Sequence, residues 1–116
     1  MSLKQVHEDA RGTLYILTFG DKEYLLMFTK KGFKRGGDYH QSIQHDVVLS
    51  GRVEFEYVTD KDWVEVILLK GQSISFKAMQ PHMLTALTDC LVLEWLEGPF
   101  EKQYYEPFKK LIKCEA

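Results

Sequence analysis

Short apolar or alternating runs, each stopped by a turn signal, recur along nearly the whole chain, and that rhythm constrains the fold to strands. Runs over 13–19, 24–29, 33–39, 46–50, 52–58, 63–69, 74–76, 83–88 and 90–96 predict strands, punctuated by Gly20-Asp21, Lys30-Lys31-Gly32, Gly51, the polar stretch 59–62 and Lys70-Gly71. The run 52–58 alternates most clearly, with Val53, Phe55 and Tyr57 on one face and Arg52, Glu54 and Glu56 on the other. Gly36-Gly37 make 33–39 a loop entering a strand. A strand every ~8–12 residues predicts a sandwich or barrel. The tail departs from the pattern. Pro107 predicts the start of a short helix, because the N–H it lacks is unneeded at the first helical position. Phe108, Leu111 and Ile112 then fall on one face at helical spacing.

A chain of 116 residues suits one domain, 1–116, large enough to bury a core without disulfides or a structural metal. The net charge of -2 speaks against nucleic-acid and anionic-membrane partners, which demand a basic face. No apolar stretch approaches the ~18 residues of a membrane-spanning helix. The two cysteines differ in setting: Cys90 sits in an apolar run and reads as a small core residue, whereas Cys114 sits in the polar tail. Their spacing matches no zinc or redox motif and no signal peptide precedes the fold, so the expected location is the cytoplasm.

The chemistry gathers around a few residues. Asp38 and His40 are two apart and face the same side of a strand. Gln44 follows across a short loop. His82 arrives from a distant strand, where closure of a barrel brings it opposite, and inward positions at the mouth of a small barrel are where a ligand cavity forms. His45 alternates to the other face. Arg35, beside Lys34, is a natural fork for a phosphate or carboxylate or, equally, part of a solvated basic pair. Tyr39 and Tyr57 either stack on a ligand or form wall. Glu94 interrupts an apolar strand, so it points into the pocket or sits on a covered outer face.

Gly32, Asp38, His40, Gln44 and Gly51 have the spacing of the first cupin motif, G-x5-H-x-H-x3-E-x6-G, with Asp for the first His and Gln for the Glu. The stretch from Gly71 to His82 resembles the second motif, G-x5-P-x-G-x2-H-x3-N, with Lys77, Met79 and Ala86 replacing the Pro, the second Gly and the Asn. The resemblance implies an all-β, cupin-type double-stranded β-helix (jelly-roll) barrel, here with a short C-terminal helix. In metal-binding cupins the four positions held here by Asp38, His40, Gln44 and His82 carry a divalent metal. Two His and a carboxylate suit such an ion, while Gln is a poor ligand for transition metals. The alternative is a polar pocket in which His40 and His82 hydrogen-bond a ligand or each other.

Arg35-Gly36-Gly37-Asp38-Tyr39-His40 is further similar to the R-G-x-H-x-H stretch of nucleotide-linked 4-keto-6-deoxysugar 3,4-ketoisomerases, and the aromatic and basic segment from Phe100 to Phe108 has the character of their C-terminal ends. That family also tends to carry Gln at the position of Gln44. The likeness implies a small-molecule ligand, a nucleotide sugar, with His40 and either Asp38 or His82 as acid and base and with no cofactor. A metal-dependent enzyme using Asp38, His40 and His82 is the alternative, and a non-catalytic metabolite-binding module is the third reading. The likeness also implies a homodimer. The run 13–19 points the same way: Tyr15, Leu17 and Phe19 put bulk on one face and Leu14, Ile16 and Thr18 on the other, and a strand apolar on both faces is normally covered on both. A partner chain or the tail residues Phe108, Leu111 and Ile112 are the candidate covers.

Overall fold

A computed structural model describes residues 1–112; Cys114 lies outside the described residues. Eleven strands and one short helix follow in order: β1 (Ser2–Asp9), β2 (Gly12–Phe19), β3 (Lys22–Thr29), β4 (Lys34–Tyr39), β5 (Gln44–Ser50), β6 (Arg52–Val58), β7 (Trp63–Leu69), β8 (Ser73–Phe76), β9 (His82–Ala86), β10 (Cys90–Leu96), β11 (Gln103–Tyr104) and α1 (Glu106–Lys109). They form two antiparallel sheets, one of six strands ordered β1-β2-β3-β10-β5-β8 and one of five ordered β11-β4-β9-β6-β7. The inner faces enclose a core of Met27, Val48, Val53, Phe55, Phe76, Leu84, Ala86, Cys90 and Val92. Cys90 is the small core residue its apolar run implies. No helix among the described residues is long and apolar enough to cross a membrane.

Alternation works where the sequence shows it. Val53 and Phe55 are fully buried, and Tyr57 packs beside them with its ring 6.0 Å from Phe76. On the other face Glu56 is buried as well, because the Trp63 indole N–H donates to its carboxylate at 2.8 Å. Strand β1 has no counterpart among the predicted runs: its residues are exposed almost throughout, and only the backbone ladder with β2, with Leu3 opposite Leu17 and Gln5 opposite Tyr15, makes it a strand.

The most consequential irregularity lies in β4. Arg35 pairs with Leu84, Gly36 with Met83, and Asp38 with His82, so Gly37 is an extra residue with no partner on β9. This is a β-bulge, and it reverses the alternation of the residues that follow it. Arg35 and Asp38 are three apart, yet both are buried and face the same interior space. Gly36 and Gly37 take φ of 95° and 76°, which glycine adopts without penalty.

The tail is placed differently from the expectation that it covers β2. Pro107 does sit in the first turn of α1, and Phe108 is fully buried, its ring 4.7 Å from Trp63. The helix docks on β4 in the five-stranded sheet, with Lys109 donating to the Gly36 carbonyl at 3.0 Å. It ends at Lys109, so Leu111 leaves the predicted face and stays exposed, while Ile112 lies against Gly37. The tail therefore does not cover β2, whose residues Tyr15 and Leu17 remain half-buried and whose Phe19 is exposed.

Candidate metal and ligand site

The bulge in β4 turns Asp38 into the barrel opposite its register partner His82. His40 follows just beyond the strand end. The three residues are buried, and their donor atoms lie within 4.8 Å of one another. Asp38 Oδ1 stands 3.5 Å from His40 Nε2 and 3.6 Å from His82 Nε2, and the two imidazoles are 5.4 Å apart.

Each ring is fixed from behind. His40 Nδ1 meets the carbonyl oxygen of Glu101, and His82 Nδ1 meets that of Gln80 at 2.9 Å. A carbonyl only accepts, so both Nδ1 atoms carry the proton. In the neutral rings both Nε2 atoms then present lone pairs to the carboxylate of Asp38. Burial favours that neutral form for His82, pulling its pKa below the usual histidine value. Phe76 stacks on the His82 ring at 4.4 Å and holds its plane.

These groups line a cavity of about 170 Å³ together with Arg35, Gln44, Asp46, Phe55, Glu94, Phe100 and Lys102. The cavity shares Leu14, Leu25, Glu94, Phe100 and Lys102 with a broader groove flanked by Ile16, Tyr24 and Trp95. Arg35 reaches the cavity, but it also braces the wall, with Nε donating to Thr29 Oγ1 at 2.7 Å and Nη2 to the Phe28 carbonyl at 3.2 Å. The two tyrosines stand elsewhere. The Tyr39 hydroxyl donates to Gln103 at 2.8 Å and ties β4 to β11, while Tyr57 belongs to the core wall. His45 lies on the opposite face, bonded to Ser75 and Glu97, as alternation requires.

Gln44 does line the cavity, but its amide is engaged with a second group of residues. Nε2 donates to both oxygens of Asp46 at 3.3 Å and to Glu94 Oε1 at 3.0 Å. Asp46 and Glu94 sit directly opposite each other on β5 and β10. The inward orientation of Glu94 resolves the choice that the sequence left open. Asp46 was missed in the sequence; its place two residues from Gln44, on the same face, was the available signal. Phe100 and Lys102, on the segment between β10 and β11, were also missed as lining residues, because nothing in their spacing ties them to the barrel mouth.

Two facing carboxylates away from bulk water resist ionising together. Burial, then the charge of Glu94, raises Asp46 well above its usual range; burial, with the Asp38 charge adding to it, raises Glu94 from 4.5 to about 7. A carboxyl whose pKa is raised on folding binds its proton more tightly in the folded state, so its stabilising contribution is complete below 4.5 and is lost as pH rises towards about 7. In chelator, the stability advantage of wild type over Glu94→Gln should shrink by roughly 3 kcal/mol across that window, read from urea midpoints. A difference that stays flat with pH would contradict this placement of Glu94.

No protein-family model matches the chain, and no curated protein matches it. Solved structures do. The capsular polysaccharide assembling protein CapF from Staphylococcus aureus is similar at 18% identity and a TM-score of 0.75, covering 90% of this chain and 32% of that one. Vicilin from Corylus avellana (hazelnut) is similar at 13% identity and 0.75, covering 88% and 34%. The Bacillus subtilis oxalate decarboxylase, studied for its Mn(II) centres, is similar at 18% identity and 0.71, covering 85% and 28%. The chain thus spans about a third of the length of each of these proteins. Likeness at such identities speaks for the fold, and the fold these two sheets build around their cavity is the cupin-type jelly-roll barrel.

Proposed function

We propose that the chain binds a small molecule through a divalent metal held by Asp38, His40 and His82. One observation carries the reading: two imidazole Nε2 lone pairs and a carboxylate oxygen converge on one buried point, with both rings locked in the matching tautomer by backbone carbonyls. Three acceptors facing one another repel unless a cation, or a proton on one imidazole, sits among them. Two histidines and a carboxylate suit iron or a similar divalent ion, and they leave coordination positions open for a ligand. Such an ion supplies Lewis-acid polarisation of a bound oxygen. The protein groups do the rest. Asp38 offsets charge, Phe76 and Phe100 shield the histidines, and Lys102 at the mouth favours an anionic ligand entering from the groove. The Mn(II) centres of the oxalate decarboxylase, a protein similar in fold over part of its length, support this reading.

A second reading uses the same groups without metal. His82, held neutral by burial, acts as a base beside the Asp38–His40 pair on a nucleotide-linked keto sugar, as in the ketoisomerase resemblance. The role of CapF in capsular polysaccharide assembly lends it a sugar context. Cobalt(II) titration of chelator-stripped protein separates the two. The metal reading expects about one tightly bound equivalent, weakened at least ~100-fold in His40→Ala or His82→Ala. Absence of cobalt binding, with isomerisation of a nucleotide-linked 4-keto-6-deoxysugar by the stripped protein, would establish the second reading in its place.

We further propose that the chain pairs with a second copy. The tail docks on β4, so the half-buried Tyr15 and Leu17 and the exposed Phe19 of β2 and Leu3 of β1 keep an apolar face that a partner would cover. Light scattering at micromolar concentration should give twice the 13.6 kDa of one chain; a mass near 13.6 kDa would rule the dimer out.

A further inference from the structure

The histidine cavity is small for a whole ligand. Its volume of about 170 Å³ lies below the ~300–1,000 Å³ of ordinary small-molecule sites. The broader groove beside it measures about 1080 Å³. Leu14, Leu25, Glu94, Phe100 and Lys102 line both, so the two spaces adjoin.

The floor of the groove is the inner face of the six-stranded sheet, carried past the core. Leu14, Ile16 and Thr18 alternate onto one face of β2, and Leu25 stands opposite Ile16 on β3. Leu14 and Leu25 pack against the core, whereas Ile16 lies beyond it, half-buried. From Leu14 to Thr18 the strand runs ~13 Å, at ~3.3 Å per residue. The second copy proposed for β2 takes the other face, that of Tyr15, Leu17 and Phe19, and leaves this one open. Phe100 marks the junction. It is 69% exposed, with its ring 6.1 Å from that of His40. A large apolar side chain held at the site yet open to water gains burial when an apolar ligand body covers it.

Charge decides the head group. Lys102 is the cation common to cavity and groove. Further along the groove, Lys22 is outnumbered by Asp21, Glu23 and Glu97. A head group with one negative charge meets a metal and Lys102, whereas a polyphosphate would set more charge among those carboxylates.

We propose that the ligand is an apolar-bodied monocarboxylate, its carboxylate at the metal of Asp38, His40 and His82 and its body along Leu14, Ile16, Leu25 and Phe100. This rests on the metal reading above and adds the ligand class to it.

Cobalt(II)-loaded, full-length protein titrated with acetate, butanoate and octanoate tests it. The visible bands of cobalt(II) report first its uptake and then a carboxylate entering its coordination shell. Burying one CH₂ is worth roughly fourfold in affinity, so octanoate should bind at least about tenfold tighter than butanoate even in a half-open groove. Ile16→Glu should remove that gain while cobalt(II) uptake and acetate binding stay as in wild type. Thermal unfolding checks that this variant is folded; if it is not, Ile16→Thr, which keeps the branched Cβ that suits a strand, should remove part of the gain. A protein that takes up no cobalt(II) ends the metal reading and this proposal with it. Cobalt(II) uptake with bands that no acid shifts, with equal affinity for the three acids, or with a chain-length gain that the folded variant retains in full overturns this proposal alone and leaves the metal reading standing.

Discussion

An unpaired residue in β4 sets which way the chemistry of this barrel faces. With regular alternation, Arg35 and Asp38 would lie on opposite faces of the strand. Gly37, inserted without a partner on β9, brings both to the interior and sets Asp38 level with His82. Two consecutive glycines make this feasible, since a positive φ at Gly36 and at Gly37 strains no Cβ. Gly37 also lies under the docked tail: a Cβ there would come within 2.8 Å of Ile112 Cδ1, and that side-chain end would have to shift to admit it. Site, bulge and tail form one assembly.

The segment after β10 completes it. It carries the Glu101 carbonyl that fixes the His40 ring, places Phe100 and Lys102 at the cavity mouth, and joins β4 through the two residues of β11. A two-residue ladder, α1, the Tyr39–Gln103 hydrogen bond and the Gln41 amide donating to the Glu101 carboxylate hold that segment in place. The His40 tautomer, and with it the direction of one lone pair in the site, therefore depends on contacts made more than sixty residues further along the chain. His82 is held more rigidly, between its own turn at Gln80 and the stacked ring of Phe76.

Much of this was legible in the residues. Alternation in β6 and the turn signals between strands follow from local physics, and motif spacing placed Asp38, His40, Gln44 and His82 on one cavity. The remainder depended on long-range pairing that no local pattern encodes. Strand β1 is polar and owes its form to the β2 backbone. Asp46 became part of the site only through pairing with β10, which set it opposite Glu94. Residues two apart on a strand share a face, as Asp38 and His40 do, but alternation alone does not show that the glycine pair ahead of them turns Asp38 inward. For Tyr39 and Tyr57, aromatic and near the motif, the sequence left ligand and wall both open; one ties two strands together and the other packs in the wall.

The central claim is that a bulge and two backbone carbonyls create a metal site from Asp38, His40 and His82. Anomalous diffraction at the cobalt edge, on crystals grown with cobalt(II), tests it most directly. The account predicts one strong peak bonded to Nε2 of His40 and Nε2 of His82 at ~2.0–2.2 Å, with a carboxylate oxygen of Asp38 completing the protein ligands. A peak bonded through Nδ1, or no peak among these three side chains, would contradict it.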